Sequence, residues 1–163
     1  MKKINVELLC EILNYDPNTG EFRWRISGNG RRLRDIAGSL NSKGYIVIGI
    51  NGQIYYAHRL AWLWTHGTWP ADQIDHINGD RADNRLSNLR EATRSLNAQN
   101  IRTASKDSAS GFLGISFRKD TGRWQARIQV KDRRLSLGYF STPEEASAAY
   151  LTAKRRLHEG CTI

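Results

Sequence analysis

The residues with the most chemistry in this chain lie between positions 75 and 97. Asp75-His76-Ile77-Asn78-Gly79-Asp80-Arg81-Ala82-Asp83-Asn84 crowds carboxylates and carboxamides around one histidine, and Asn88-Leu89, Arg90, Arg94 and Asn97 follow. Hard divalent cations such as Mg2+ take oxygen ligands, so a carboxylate at Asp75 and an amide oxygen at Asn97 suit one. A histidine ionises at about pH 6.5 and can take a proton from water near neutrality, which makes His76 the candidate base. The closing Glu of an EF-hand calcium loop is lacking, and Asp80, Asp83 and Asn84 read instead as turn formers and loop caps. Asn100, three positions past Asn97 on the same helical face, is a runner-up ligand.

Elements that could hold these residues are legible on both sides. Asn5 can cap a short helix with Leu8, Leu9, Ile12 and Leu13 at helical spacing. Asp16-Pro17-Asn18-Thr19-Gly20 is a turn, and Phe22 and Trp24 fall on one face of a following strand. Gly44 to Ile50 and Gln53 to Ala57 are β-prone runs joined by Asn51-Gly52, a strong hairpin signal. His58 to His66 reads as a helix with Leu60, Trp62, Leu63 and Trp64 mostly buried. Residues 103–110 are small, polar and aperiodic, a linker. Beyond it, Phe112–Phe117, Trp124–Val130 and Arg134–Phe140 read as three strands. A helix then opens with Thr142 as cap, Pro143 in its first turn and Glu145 completing a capping box, with Ala146, Ala149, Tyr150, Ala153 and Leu157 as its apolar stripe.

The net charge is +9 over 163 residues, which points to a polyanionic partner, nucleic acid or an acidic membrane surface. Up to Arg102 there are 14 basic and 10 acidic residues; from Thr103 on there are 11 and 6, so the shorter segment is the more basic per residue. Cys10 and Cys161 form no C-x-x-C pair, which argues against a cysteine zinc site and against a disulfide framework. No apolar run is long enough to span a bilayer. A cytoplasmic location is the expectation.

Asp75-His76, Asn88-Leu89 and Asn97, in this order, resemble the HNH nuclease motif, a ββα-metal fold, in the branch found in phage-encoded and intron-encoded homing endonucleases. The resemblance covers roughly Gly44 to Asn100 and includes His58-Arg59-Leu60. It implies that His76 is the general base and that Asp75 and Asn97 hold one Mg2+ or Mn2+. Asn88 joins the catalytic set by fixing the loop and orienting His76. The family's products carry a 5′ phosphate and a 3′ hydroxyl. His58 reads as a packed structural histidine or a phosphate contact, and Arg90 and Arg94 as phosphate-neutralising or solvated.

Gly111-Phe112-Leu113-Gly114-Ile115-Ser116-Phe117-Arg118, Gly122-Arg123-Trp124-Gln125-Ala126-Arg127-Ile128, Leu137-Gly138-Tyr139-Phe140 and the following helix resemble the plant ethylene-response-factor (Apetala-type) DNA-binding domain, over about residues 110–160. A three-stranded sheet of that kind can lie in the major groove. Arg118, Arg123, Trp124, Arg127 and Arg134 are candidates for base or phosphate contacts, and Lys119, Lys131 and Arg133 for phosphates. Trp124 serves equally well as a core residue. Leu113, Ser116 and Ser136 depart from the plant pattern, so its base preference does not transfer.

These readings add up to an α+β chain. Residues 1–102 form an HNH nuclease domain with N-terminal β-strands and a ββα-metal core at about 70–102. After the linker, residues 111–163 form a three-stranded antiparallel sheet packed on one helix. The expected activity is metal-dependent hydrolysis of double-stranded DNA, as a nicking or site-preferring enzyme, by a monomer or weak homodimer in a bacterial or phage-infected cell, away from membranes. The alternative is a catalytically silent DNA-binding or transcriptional regulator.

Overall fold

The computed structural model describes residues 4–28 and 30–162. The chain divides into two compact units, Met1–Ala92 and Thr93–Ile163. It is an α+β protein of small antiparallel sheets and helices.

In the first unit, helix α1 spans Val6–Ile12, and the Asn5 side chain accepts the Leu8 amide hydrogen at 3.1 Å, as its cap position requires. The helix passes directly into strand β1 (Leu13–Tyr15), which pairs with β2 (Phe22–Trp24). Tyr15, Phe22 and Trp24 are buried, and the Tyr15 and Phe22 rings stack at 4.7 Å. Strands β3 (Ser39–Leu40), β4 (Ile46–Ile50) and β5 (Gln53–Tyr56) form one sheet in that order. Asn51 and Gly52 both have positive φ, 49° and 76°, as a two-residue hairpin turn demands.

Helix α2 (Ala57–His66) follows β5 and ends at Gly67, whose left-handed φ of 72° lets its amide reach the Leu63 carbonyl. Leu60 and Leu63 face a core shared with Leu9, Leu13, Phe22 and Ile48, while Trp62 and Trp64 are only partly buried. Strands β6 (Gln73–His76) and β7 (Leu89–Ala92) pair antiparallel, with Asp75 opposite Arg90 and His76 opposite Leu89.

The N-terminal hairpin buttresses the loop between β6 and β7. The Tyr15 hydroxyl donates to the Asn84 carbonyl at 2.7 Å, and the Leu86 amide donates to the Pro17 carbonyl at 3.0 Å. Gly20 lies so close that a Cβ there would stand 2.5 Å from the Arg85 nitrogen, so the turn needs glycine for space as well as for its φ of 76°.

The second unit opens with α3 (Arg94–Gln99), capped by the Thr93 hydroxyl. Strands β8 (Ile115–Arg118), β9 (Arg123–Val130) and β10 (Arg133–Phe140) form an antiparallel sheet with β9 central. Helix α4 (Pro143–Leu157) is capped by Thr142, and the Glu145 carboxylate accepts the Ser141 amide hydrogen at 3.1 Å. Ile115, Ala126 and Ala146 form the buried core, with Phe112, Trp124, Leu137, Phe140 and Tyr150 packed around it.

Two details differ from the sequence reading. The first strand begins at Ile115, not Phe112, because Gly111 and Gly114 take left-handed φ values of 70° and 69° and turn the chain. A Cβ on Gly114 would collide with the Arg127 carbonyl and the Tyr150 ring, both at 2.4 Å. Leu157, expected on the apolar stripe of α4, is 40% exposed, whereas Lys154 is buried and donates to the Ile101 carbonyl. The long lysine stem packs as an apolar chain and its ammonium finds a carbonyl at the end.

Candidate active site

Strand β6 carries Asp75 and His76 at its end. Both are 5% exposed. Arg90, directly opposite on β7, donates Nε and Nη2 to one Asp75 oxygen, Oδ2, at 2.9 and 2.7 Å. Arg90 is therefore not a solvated cation; its side chain is 26% exposed and paired.

The His76 ring is held from one side by the Asn84 side chain, with Nε2 3.3 Å from Oδ1. The Asn84 amide nitrogen donates to the Ala82 carbonyl at 3.0 Å, which fixes which end of the amide faces the histidine. An oxygen faces Nε2, so Nε2 carries the hydrogen and Nδ1 is the basic nitrogen of the neutral ring. Burial lowers the His76 pKa below the ordinary histidine value, against the opposing pull of the Asn84 hydrogen bond and of Asp75, Asp80 and Asp83. The ring is thus neutral at neutral pH, the state a base needs.

Aromatic rings wall the other side. His58 meets His76 edge to face with centroids 5.0 Å apart, and Tyr45 lies 5.9 Å from His76 and 5.3 Å from His58. Arg81 stacks its guanidinium over Tyr45 at 5.0 Å and donates to the Lys43 carbonyl. His58 is 8% exposed, and burial, aided by His76 and Arg59, pushes its pKa down to about 3.

Asn88 organises the loop between the strands. Its side-chain oxygen accepts the Asn78 amide hydrogen at 2.8 Å, its amide nitrogen donates to the Asp83 carbonyl at 2.8 Å, and its own carbonyl accepts from Ile77. Arg85 forks onto the Asp83 carboxylate and, through those hydrogen bonds, holds its pKa down to about 2. Asp80 and Asp83 cap turns through their side chains.

Asn97 lies half-buried on α3, in the second unit, with its backbone amide bonded to the Thr93 carbonyl. Asn100, the runner-up ligand, is 5% exposed and accepts the Thr162 hydroxyl at 2.7 Å, so the C-terminal tail engages its oxygen. Among the described residues no group of three or more His, Cys, Asp and Glu side chains gathers as a metal cage. The buried carboxylate of Asp75 still suits a cation of the Mg2+ type, which keeps several waters and takes one or two carboxylates together with substrate phosphate oxygens.

The arginines of the second unit sort by strand alternation. Trp124, Ala126 and Ile128 face α4, so Arg123, Gln125, Arg127 and Gln129 face away from it. Residues paired across the sheet share a face, which adds Arg118 opposite Arg123 and Arg134 opposite Gln129. Four of the expected contacts, Arg118, Arg123, Arg127 and Arg134, therefore lie on one open face, where Arg118 is salt-bridged to Asp120 at 2.8 Å. Trp124 and Arg133 belong to the helix side, and Trp124 packs edge-on against Phe117. Lys119 is exposed in the turn between β8 and β9.

The sequence offered His58 as a packed histidine or a phosphate contact and Arg90 as phosphate-neutralising or solvated; the Arg90–Asp75 pairing, and Asn84 and Tyr45 as site residues, did not stand out there. Asn84 had the look of a turn former, and only its closeness to the histidine in the chain hints at more.

Residues 55–99 match a family model described as HNH endonuclease. The match runs from β5 through α3 and includes Asp75, His76, Asn88 and Asn97. The chain is 29% identical over 102 residues to Protein 3.8 of Escherichia phage T7, covering 62% of this chain and 83% of the phage protein. A solved structure on DNA binding and cleavage by the HNH homing endonuclease I-HmuI is similar at 23% identity with a TM-score of 0.45, over 61% of this chain and 57% of that one.

Proposed function

We propose that this chain is a metal-dependent DNA endonuclease of the HNH type with a DNA-binding sheet in its C-terminal unit. The observation that carries the reading is His76, a buried histidine whose Nε2 stands 3.3 Å from the Asn84 side-chain oxygen, inside a segment that matches the HNH endonuclease family model. His76 takes the proton from the attacking water. Asn88 and Asn84 keep the loop and ring in place for that transfer.

Asp75 and Asn97 would hold the cation, Mg2+ or Mn2+; Asn97 enters through its place in the motif. When bound, the ion supplies Lewis-acid stabilisation of the charge that develops on the leaving oxygen. Products carry a 5′ phosphate and a 3′ hydroxyl. Arg118, Arg123, Arg127 and Arg134 anchor the duplex through its phosphates, with Lys119 at the edge of that face. A tethered binding surface raises the local concentration of DNA at the active residues.

The test is relaxation of supercoiled plasmid in Mg2+ or Mn2+, with His76→Ala and a chelator as controls. Metal-dependent nicking that disappears in His76→Ala is expected. Plasmid that is retarded on a gel but left intact under every metal would instead make the chain a DNA-binding regulator.

A further inference from the structure

Asp75 and Arg90 stand opposite each other on paired strands, and the geometry of their contact is specific. An arginine facing a carboxylate usually spreads two donors over two oxygens. Here Nε and Nη2 both converge on Oδ2, at 2.9 and 2.7 Å. The pair is largely withdrawn from water, with side-chain exposures of 6% for Asp75 and 26% for Arg90, so its charges are poorly screened.

Resting on the nuclease reading above, we propose that Arg90 is a positioning residue that makes cation binding at Asp75 depend on DNA. Without DNA the guanidinium cancels the carboxylate, and a neutral pair attracts a divalent ion weakly. A backbone phosphate brings the negative charge that a guanidinium also recognises. With phosphate beside Arg90, the Asp75 charge becomes available to the ion. Coupling of this kind is reciprocal, so the cation tightens DNA to the same degree that DNA tightens the cation. The arrangement keeps the site from loading metal where no substrate is present.

The experiment measures Mn2+ binding to the full chain by calorimetry, in a His76→Ala background so that DNA stays intact. In that background a short duplex should tighten Mn2+ binding. Adding Arg90→Gln should tighten DNA-free Mn2+ binding by about tenfold or more, since one unit of nearby positive charge is gone, and the duplex should then add little. Arg90→Met, which keeps the aliphatic stem, serves as the second neutral variant if Gln does not fold. Arg90→Lys keeps the charge and should bind Mn2+ as the parent does.

Unchanged or weaker Mn2+ binding in both neutral variants overturns the inference. So does Arg90→Lys binding as tightly as Arg90→Gln, because charge would then not be the cause. If these affinities fail to move while the wild type still nicks plasmid in Mg2+, only the role of Arg90 falls. If no form binds Mn2+ and the wild type cuts nothing, the nuclease reading falls with it.

Discussion

The strand pair β6–β7 and the sheet β8–β10 use polar residues in opposite ways. In the first and its connecting loop, Asp75, His76 and Asn88 are all buried and held by side-chain contacts: Arg90 on Asp75, Asn84 on His76, Asn88 across the loop. On the second, Arg123 and Arg134 stand exposed. Chemistry on a phosphodiester demands groups fixed within a fraction of an ångström, so a site of that kind is built with its supports in place. Holding a polyanion, the role proposed for the second, demands only charge in the right region, and exposed arginines suffice.

The largest expected effect tests the first half of that contrast. His76→Ala should lower the nicking rate by about 10²- to 10⁴-fold, the usual range for a lost general base. Binding of the plasmid, read by gel retardation at the same salt, should stay close to wild type. A variant that loses binding and cutting together would mean that His76 supports the surface instead of the reaction.

Next comes the loop that holds the site. Asn88→Ala removes two hydrogen bonds at 2.8 Å and leaves the partly buried Asn78 amide and Asp83 carbonyl without that partner. The cost should be about 1–3 kcal/mol of stability, measured by urea unfolding. Because the loop carries Asn84, activity should fall further than stability explains, and addition of substrate should not restore it.

What could be read without coordinates follows the same division. The order Asp75-His76, Asn88-Leu89, Asn97 could be read because a motif is an order of residue types along the chain. The Asn51-Gly52 turn and the Thr142 cap were legible because each is a local rule. Arg90 was not, since its position opposite Asp75 depends on the register of two strands separated by a long loop. That register depends in turn on Gly20 and Tyr15, distant residues whose contacts with Asn84 and Arg85 leave no local trace. Lys154 was missed for a similar reason: a lysine on a helix reads as solvated until a carbonyl such as that of Ile101 is brought to it.

Acid should weaken the first unit through its buried rings. The folded pKa of His58 is about 3 and its ordinary value is 6.5. Between those limits the unfolded chain binds a proton that the folded chain does not. Stability from this residue is therefore complete above pH 6.5 and is lost progressively as pH falls toward 3. The slope approaches about 1.4 kcal/mol per pH unit from this residue, and His76 acts in the same direction. Urea unfolding at a series of pH values should show a shallower acid dependence in His58→Phe than in the wild type. Equal slopes would mean that the buried ring keeps access to protons.

The smallest expected effect on stability belongs to the open sheet face. Arg134 is exposed and makes no ion pair among the described residues, so Arg134→Ala should change unfolding free energy by no more than about 0.5 kcal/mol. Its effect should instead appear in the salt dependence of DNA binding, where the slope of log affinity against log salt should fall by about one. Arg133→Ala is the matched control. It sits one residue away, exposed, but opposite Val130 on the helix side of the sheet, and should leave that slope nearer to wild type. Equal losses from the two would show that the charge of the unit matters and the face does not. A loss from Arg134 alone would establish that DNA lies against the sheet, which is the difference between an electrostatic cloud and a docking surface.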